Sequence, residues 1–177
     1  YNTAVGYGAG TAVTTGVEST LIGGLAGDAL TTGQQNVALG YGALSADTLG
    51  NRSVAIGHSA LDSQNFTTAT DAYNVAVGYS AGTAVTTGIK NAMFGTLALS
   101  ASTTGQENVA IGHQALTADT KGQRNVAVGA NALDIQNFTT ATNSYNVAMG
   151  YAAGGAVTTG VQNTIVGGLA GDALTDA

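Results

Sequence analysis

The sequence predicts an all-β solenoid, a rod of stacked coils in which each strand pairs with its equivalent in the next coil. A five-residue motif occurs ten times in the 177 residues. Its first residue is Asn or Ser, its second is small or β-branched, its third is usually Ala, its fourth is a larger aliphatic residue, and its fifth is Gly. An Ala stands at the eighth position of every copy, counted from the Asn or Ser, and most copies carry a second Gly at the fifteenth position. Self-similarity at such a short, fixed period is typical of solenoids.

The spacing of the motif defines two nested periods. Most copies begin a 17-residue unit and two begin a 21-residue unit, and three short units followed by one long unit make a longer repeat. We therefore interpret residues 1–177 as one repeat array with superrepeats 1–72 and 73–144 and a partial third copy, 145–177. The motif glycines are Gly6, Gly23, Gly40, Gly57, Gly78, Gly95, Gly112, Gly129, Gly150 and Gly167.

Each coil is expected to contain two short strands, because two glycines per unit indicate two turns. The motif is β-rich, and no helical spacing of 3.6 residues persists across so many glycines. Stacked coils bring identical residues together at about 4.8 Å. The recurring Asn is therefore predicted to form a ladder of side-chain amide hydrogen bonds. At the seventeenth position the signs of Lys90, Glu107 and Arg124 alternate, as cross-strand pairing favours.

Both faces of the motif strand are apolar. Its third residue, usually Ala, is expected to face the interior, so its second and fourth residues face outward. A stripe of this length exceeds what a soluble monomer usually exposes, which predicts self-association with rotational symmetry. The residues of this predicted stripe are Val37, Leu39, Val54, Ile56, Val75, Val77, Val109, Ile111, Val126 and Val128.

The segments NVAVG, SVAIG and NVAIG, each followed by a small residue and an Ala, resemble the left-handed parallel β-roll repeats in the heads of YadA-like trimeric autotransporter adhesins. The segments TTGQQNVALGYGAL and TTGQENVAIGHQAL are similar to repeat arrays of bacteriophage tail fibres. The resemblance covers essentially the whole chain. It implies a left-handed β-roll assembled as a parallel homotrimer, with the aliphatic stripe on the three-fold axis, in an extracellular fibre of a virion or a bacterial surface. The 17-residue unit is longer than the usual adhesin-head coil.

The two 21-residue units are the first candidate contact sites. Their four extra residues predict a loop at every fourth coil, and loops on a rigid scaffold commonly carry binding. The aromatic residues could offer platforms for a host glycan or protein, or the two Phe side chains could turn inward and close a wider coil. The candidate contact residues are Asn65, Phe66, Thr67, Tyr73, Asn137, Phe138, Thr139 and Tyr145. Asn65 and Asn137 also match the N-glycosylation sequon.

The residue after the motif glycine forms a second row that includes His58 and His113. In a trimer, three copies of either His could hold a metal or an anion, or the row could be structural stacking beside a turn. Within one chain the two residues are predicted to lie about 14 Å apart, too far to share a metal. We therefore predict no metal and no cofactor.

The sequence gives no sign of an enzyme, because no Ser/His/Asp order or phosphate-binding glycine loop stands out from the repeat. Asp28, Asp62, Asp134 and Asp172 share the tenth position, with Asp47 and Asp119 at the twelfth, where turn capping explains them. A net charge of -6 argues against nucleic acid as a partner, and no apolar run reaches the ~18 residues of a membrane span.

The predicted function is thus a structural and adhesive fibre segment that displays a host-contact surface. One alternative is a passive spacer. Another is an ice-binding solenoid, suggested by a Thr row at the thirteenth position, although its Thr pairs are adjacent rather than two residues apart.

Overall fold

The computed structural model describes residues 1–175, and they form one parallel β-solenoid of ten coils. Each coil supplies one three-residue strand to a single ten-stranded sheet. These strands are β1 (Thr3–Val5), β2 (Thr20–Ile22), β3 (Val37–Leu39), β5 (Val54–Ile56), β7 (Val75–Val77), β8 (Ala92–Phe94), β9 (Val109–Ile111), β11 (Val126–Val128), β13 (Val147–Met149) and β14 (Thr164–Val166). Within residues 1–175 there is no helix with the length and apolarity needed to cross a membrane.

Equivalent residues of neighbouring coils pair in register, which confirms the predicted stacking. Ala38 of β3 pairs with Ala55 of β5, its equivalent in the next coil. Ala55 pairs in turn with Ala76 of β7, although a 21-residue unit separates these two strands. The four extra residues are therefore absorbed outside the main sheet, and the sheet itself stays regular.

The second strand predicted for each coil is present in only four coils of the described chain and is two residues long. Gly50–Asn51 (β4) pairs with Thr70–Asp71 (β6), and Gly122–Gln123 (β10) pairs with Thr142–Asn143 (β12). The seventh and ninth positions of every coil adopt left-handed backbone conformations that a strand does not allow, so this part of the return path consists of turns. Ser59 (φ 53) and Leu61 (φ 50) are examples.

The motif glycine is required by both its backbone conformation and its surroundings. Gly40 has a φ of 136°, a conformation that L side chains rarely adopt. A Cβ at this position would also lie 2.6 Å from the carbonyl oxygen of Gly57 in the next coil. These two constraints explain why all ten copies of the motif end in Gly.

The second glycine of the unit has a different role from the predicted one. It was expected to permit a tight turn, yet Gly33 is not among the residues with positive φ. A Cβ on Gly33 would lie 2.5 Å from the carbonyl oxygen of Gly50 and 2.8 Å from Leu30 Cδ2. The residue is therefore glycine because adjacent coils approach closely here.

The core is thin and is built mainly from alanine, as the strand alternation predicts. At the strand position, a large residue takes the place of Ala only after a coil whose ninth position is Gly: Leu21 follows Gly10, Met93 follows Gly82 and Ile165 follows Gly154. A Cβ on Gly82 would lie 2.6 Å from Met93 Sδ, and a Cβ on Gly10 would lie 2.7 Å from Leu21 Cδ1. The fully buried Ala residues of the strand and of the eighth position are Ala26, Ala38, Ala43, Ala55, Ala60, Ala76, Ala81, Ala98, Ala110, Ala115, Ala127, Ala132, Ala148 and Ala153.

The buried Asn row bonds chiefly to the backbone. Asn91 Nδ2 donates to the Gly105 carbonyl at 2.9 Å, and Asn91 Oδ1 accepts the Asn108 backbone N–H at 3.0 Å. The predicted amide-to-amide bond is present but longer, as between Asn91 Nδ2 and Asn74 Oδ1 at 3.3 Å. The Asn side chain thus joins the two ends of its own coil and supports the next one.

The charges at the seventeenth position pair as their alternating signs predict. Arg124 Nε donates to Glu107 Oε2 at 2.8 Å, and Lys90 Nζ lies 3.9 Å from Glu107 Oε1 on the other side. All three side chains are solvent-accessible, so these contacts support the register more than they add stability.

Replacing Gly33 by Ala should destabilise the rod strongly, because the methyl group would collide with the backbone of the next coil. We expect a loss of roughly 3 kcal/mol or more, measured by urea denaturation followed by circular dichroism. Gly42→Ala is the matched control. A Cβ there meets only atoms at 3.6 Å, and Ser59 and Gln114 occupy equivalent left-handed positions, so we expect a cost of about 1 kcal/mol. Equal losses in the two variants would contradict the close-approach explanation.

Candidate functional site

The outward face of the ten-stranded sheet carries the predicted aliphatic stripe. Leu39 is 43% exposed and Ile111 40%, whereas the strand alanines between them are fully buried on the other face. The remaining eight predicted stripe residues are half-buried by their neighbours in the stack. The sequence-based assignment of inner and outer faces is therefore confirmed for these strands.

The outward row is longer than the ten residues of the predicted stripe. Five further strands place Val5, Ile22, Phe94, Met149 and Val166 at the same outward position, and all of these except the half-buried Ile22 are exposed. Each of these residues is the fourth residue of the motif, directly before the motif Gly, and this position is the sequence signal that identifies them. The row thus runs along the whole sheet of residues 1–175.

The two long coils bury their Phe side chains. Phe66 is 5% exposed and Phe138 6%, so neither ring can serve as the outward platform that was predicted as a contact site. The inward alternative is the one adopted, because each ring helps to fill the wider coil. This corrects the platform assignment of Phe66 and Phe138.

The other predicted contact residues of the long coils lie on the surface. Asn65 and Thr67 are exposed, as are Asn137 and Thr139 in the second copy. Asn65 Oδ1 accepts a hydrogen bond from Thr48 Oγ1 at 3.0 Å, which fixes the start of the loop. After the exposed bend the chain returns to the stack through β6. The loop is thus a short projection anchored at both ends.

Tyr73 and Tyr145 lie beside an arginine of the preceding coil. The Arg52 guanidinium stands 5.6 Å from the Tyr73 ring centre and donates to its hydroxyl at 3.0 Å, and Arg124 and Tyr145 repeat both contacts. Arg52 also pairs with Asp71. These tyrosines are half-exposed but already engaged, so they act as part of a rigid rim.

A buried polar network lies inside each long coil. Gln64 Nε2 donates to Asp47 Oδ2 at 2.6 Å and to Ser53 Oγ at 2.9 Å, and its Oε1 accepts from Asn74 Nδ2 at 2.8 Å. Asp47 Oδ1 accepts the Gly50 backbone N–H at 3.0 Å. The turn-capping interpretation of Asp47 is therefore correct, and the Gln64 amide bridges two coils.

The second copy of this network has the same plan. Gln136 Nε2 donates to Asp119 Oδ2 at 2.7 Å, and Asp119 Oδ1 accepts the Gly122 N–H at 2.9 Å. Burial raises the pKa of both the Asp47 and the Asp119 carboxyl, although the hydrogen bonds from Gln64 and Gln136 act in the opposite direction. The sequence pointed to these carboxylates but gave no sign of their glutamine partners.

The row after the motif glycine contains a stack of three rings. His58 lies between Tyr41 and Tyr79, with ring centres 5.4 Å from each and interplanar angles of 29° and 25°. His113 belongs to a different coil and does not meet His58 within the chain. Among the described residues no group of three or more His, Cys, Asp or Glu side chains is placed to hold a metal ion.

The Thr row directs its hydroxyls into the stack. Thr31 Oγ1 donates to the Thr48 carbonyl at 3.1 Å, and Thr86 Oγ1 donates to the Thr103 carbonyl at 3.0 Å. These hydroxyls brace neighbouring coils, which leaves them less available to order water as the ice-binding alternative requires. That alternative gains no support from this row.

The stability of the rod should fall as pH rises through the titration of Asp47 and Asp119. Both carboxyls bind a proton more tightly in the folded chain than in the unfolded one. The folded state is therefore favoured below the ordinary Asp pKa of about 4, and this contribution is lost as pH rises through the raised folded values. The double variant Asp47→Asn/Asp119→Asn should flatten this slope in thermal unfolding followed by circular dichroism.

Glu107→Gln provides a control of opposite sign. The hydrogen bond from Arg124 lowers the pKa of the Glu107 carboxyl, so Glu107 contributes stability at neutral pH that is lost as pH falls through its folded value. Removing this carboxyl should lower stability at neutral pH and flatten the acid-side change below about pH 4.5, while the decline above that pH stays as in the unmodified chain. A pH slope that is unchanged in the double Asp variant would contradict the role of the buried carboxyls.

Comparison with known proteins identifies no relative: no protein-family model, no curated protein and no solved structure matches this chain.

Proposed function

We propose that this chain is a segment of a homotrimeric extracellular fibre that projects and displays a host-contact surface. The observation that carries the proposal is the continuous aliphatic row on the outer face of the ten-stranded sheet. A side chain such as Ile111 remains 40% exposed although its neighbours above and below are also apolar. Such a row favours burial against another surface of the same kind.

A parallel trimer is the proposed solution because the rod repeats along its axis. Identical rods placed side by side with rotational symmetry bring each aliphatic rung against its equivalents at the same height. The resemblance to adhesin heads and tail fibres adds a left-handed β-roll and three-fold symmetry to this proposal. The proposed location is a virion tail fibre or a bacterial outer surface.

The proposed work of the fibre is mechanical and multivalent. Backbone hydrogen bonds between all ten coils give a stiff rod, and the loops at Thr67 and Thr139 project from it at a fixed axial interval. Three chains would present three copies of each loop, so that weak contacts gain avidity. We assign it no catalytic step.

A passive spacer is the competing proposal. It is supported by the engagement of so much of the surface in coil-to-coil bonds, including Tyr73 with Arg52 and Thr31 with Thr48. In that case the rod would set only a distance, and adhesion would reside elsewhere in the parent protein.

The oligomer is tested by placing a charge in the aliphatic row. Ile111→Glu should convert the trimer to a monomer, because three carboxylates would meet in an apolar interface. The measurement is light scattering with sedimentation at micromolar concentration. Val161→Glu is the matched control, since Val161 is 42% exposed but lies outside the sheet, and it should remain trimeric. A monomeric unmodified chain would overturn the proposal.

Binding of the folded chain to host cells or to an array of glycans distinguishes the host-contact function from the passive-spacer function. Replacing Thr67 and Thr139 by bulky Arg should reduce binding if the loops make the contact, while Thr15→Arg, at an exposed site of a short coil, should not. The Phe residues are unsuitable for this test because they are buried. The absence of binding at any valency would favour the spacer.

A further inference from the structure

We propose that the row after the motif glycine contains an open slot for a sugar ring between His113 and Tyr151. The row consists of Tyr7, Gly24, Tyr41, His58, Tyr79, Thr96, His113, Ala130, Tyr151 and Gly168, one residue from each coil. The inference deepens the proposed display function, on which its biological meaning rests. It adds this row to the loops of the long coils as a second contact surface.

The stack of Tyr41, His58 and Tyr79 shows what fits between two rings when one coil lies between them. Tyr41 and Tyr79 are separated by one coil, and the imidazole of His58 occupies the space between them at 5.4 Å from each ring centre. Both tyrosines are more than half exposed. A single ring, open to solvent at its edge, therefore completes this part of the row.

The same arrangement recurs at Ala130 without the middle ring. His113 and Tyr151 occupy the neighbouring coils, and both are exposed, Tyr151 to 61%. The backbone here is stacked in register, because the Asn131 N–H donates to the His113 carbonyl at 2.9 Å and the Ala152 N–H to the Ala130 carbonyl at 2.8 Å. Only the Ala130 methyl group forms the floor between the two rings.

The Gly24 position is a poorer slot. Tyr41 leans across it, since a Cβ on Gly24 would lie 3.1 Å from Tyr41 Cδ2. The glycine floor is therefore partly covered by the neighbouring ring. Thr96 also lies between two exposed rings, those of Tyr79 and His113, but its side chain is larger than a methyl group. Ala130 therefore has the smallest uncovered floor between two exposed rings.

The flat His58 ring lies 5.4 Å from each neighbouring ring centre, farther than a close face-to-face contact, so a slot of this width is filled better by a thicker, puckered ring. Two strand spacings separate the outer rings by about 9.6 Å. A flat aromatic guest touching both rings needs only about 7 to 8 Å, two contacts of about 3.5 to 4.0 Å. A pyranose chair is thicker because C–H bonds stand off both faces, so it contacts both rings at once while its hydroxyls remain in water.

The polar groups beside the slot agree with a hydroxyl-bearing ligand. The His113 imidazole and the Tyr151 hydroxyl can each donate and accept hydrogen bonds at the rim. Both groups belong to exposed residues, so a bound hydroxyl can reach them. The ligand class we assign is therefore a pyranoside whose two faces are both accessible, as in a terminal sugar of a surface glycan.

The test is saturation-transfer difference NMR on the whole chain with methyl β-D-galactopyranoside. We expect saturation to reach the ring protons on both faces of the sugar. Ala130→His should weaken binding at least about tenfold, because the imidazole would fill the slot as His58 does and remove both ring contacts. The change is at a surface position, and circular dichroism checks that the fold is retained.

His58→Ala provides the opposite test in the same molecule. It should open a second slot between Tyr41 and Tyr79 and raise the transferred saturation about twofold, since the two slots would have the same plan. Thr11→Ala, an exposed change elsewhere on the surface, should leave the signal unchanged. Nonspecific adhesion of the sugar to aromatic side chains would not increase the transferred saturation when the His58 imidazole is removed.

Three results would overturn the proposal. One is no saturation transfer to the pyranoside, and another is transfer that Ala130→His leaves intact. The third is preferential binding of a flat probe, benzamide, which would show that the slot accepts planar rings instead. Light scattering on the same samples keeps this proposal separate from the fibre, because a trimer that binds no sugar refutes only the slot, and a monomer that binds sugar refutes only the trimer.

Discussion

The hydrogen-bonded stacking of each coil on the next is the constraint on which the rest of the molecule depends. Its bonds run from one position to the residue before the equivalent position in the next coil, as in Val37 N–H to Ser53 carbonyl and Val54 N–H to Asn74 carbonyl, and so hold equivalent residues in register. Each side chain therefore lies beside the side chains at its own position in the neighbouring coils. A Gly must recur where backbones nearly touch, and repeated like charges are disfavoured unless their signs alternate.

The thinness of the coil follows from the same stacking and decides what the surface must do. A core made largely of Ala buries little apolar area per residue, so the inner face alone contributes modest hydrophobic stabilisation. At the strand position, larger residues such as Met93 enter only where the preceding coil has Gly at its ninth position, as at Gly82, whereas other coils bury a Leu at the ninth position itself, as at Leu61. Additional apolar burial is available only on the outer face of the sheet, which is why the aliphatic row there points to association.

The long coils show how the rod accepts insertions without losing its register. Four extra residues leave the main sheet undisturbed, and the added volume is filled by Phe66 and by the network that links Asp47 to Gln64. A buried carboxylate is tolerated because the Gln64 amide and the backbone N–H groups of Gly50 and Phe66 satisfy it. The surface can therefore vary at every fourth coil, and the scaffold beneath it stays rigid.

The sequence by itself determined the solenoid, its register, and the inner and outer faces of the strands, because a short period brings each residue beside its own repeat. It also identified the loop and ring positions. Tertiary structure alone decided which way Phe66 faces, what Gln64 bonds to, and why Gly33 cannot bear a side chain. These features depend on distances between neighbouring coils of unequal sequence and length. The repeat period predicts which residues are neighbours in adjacent coils. The space between those neighbours depends on the folded path of the backbone, which the period does not give.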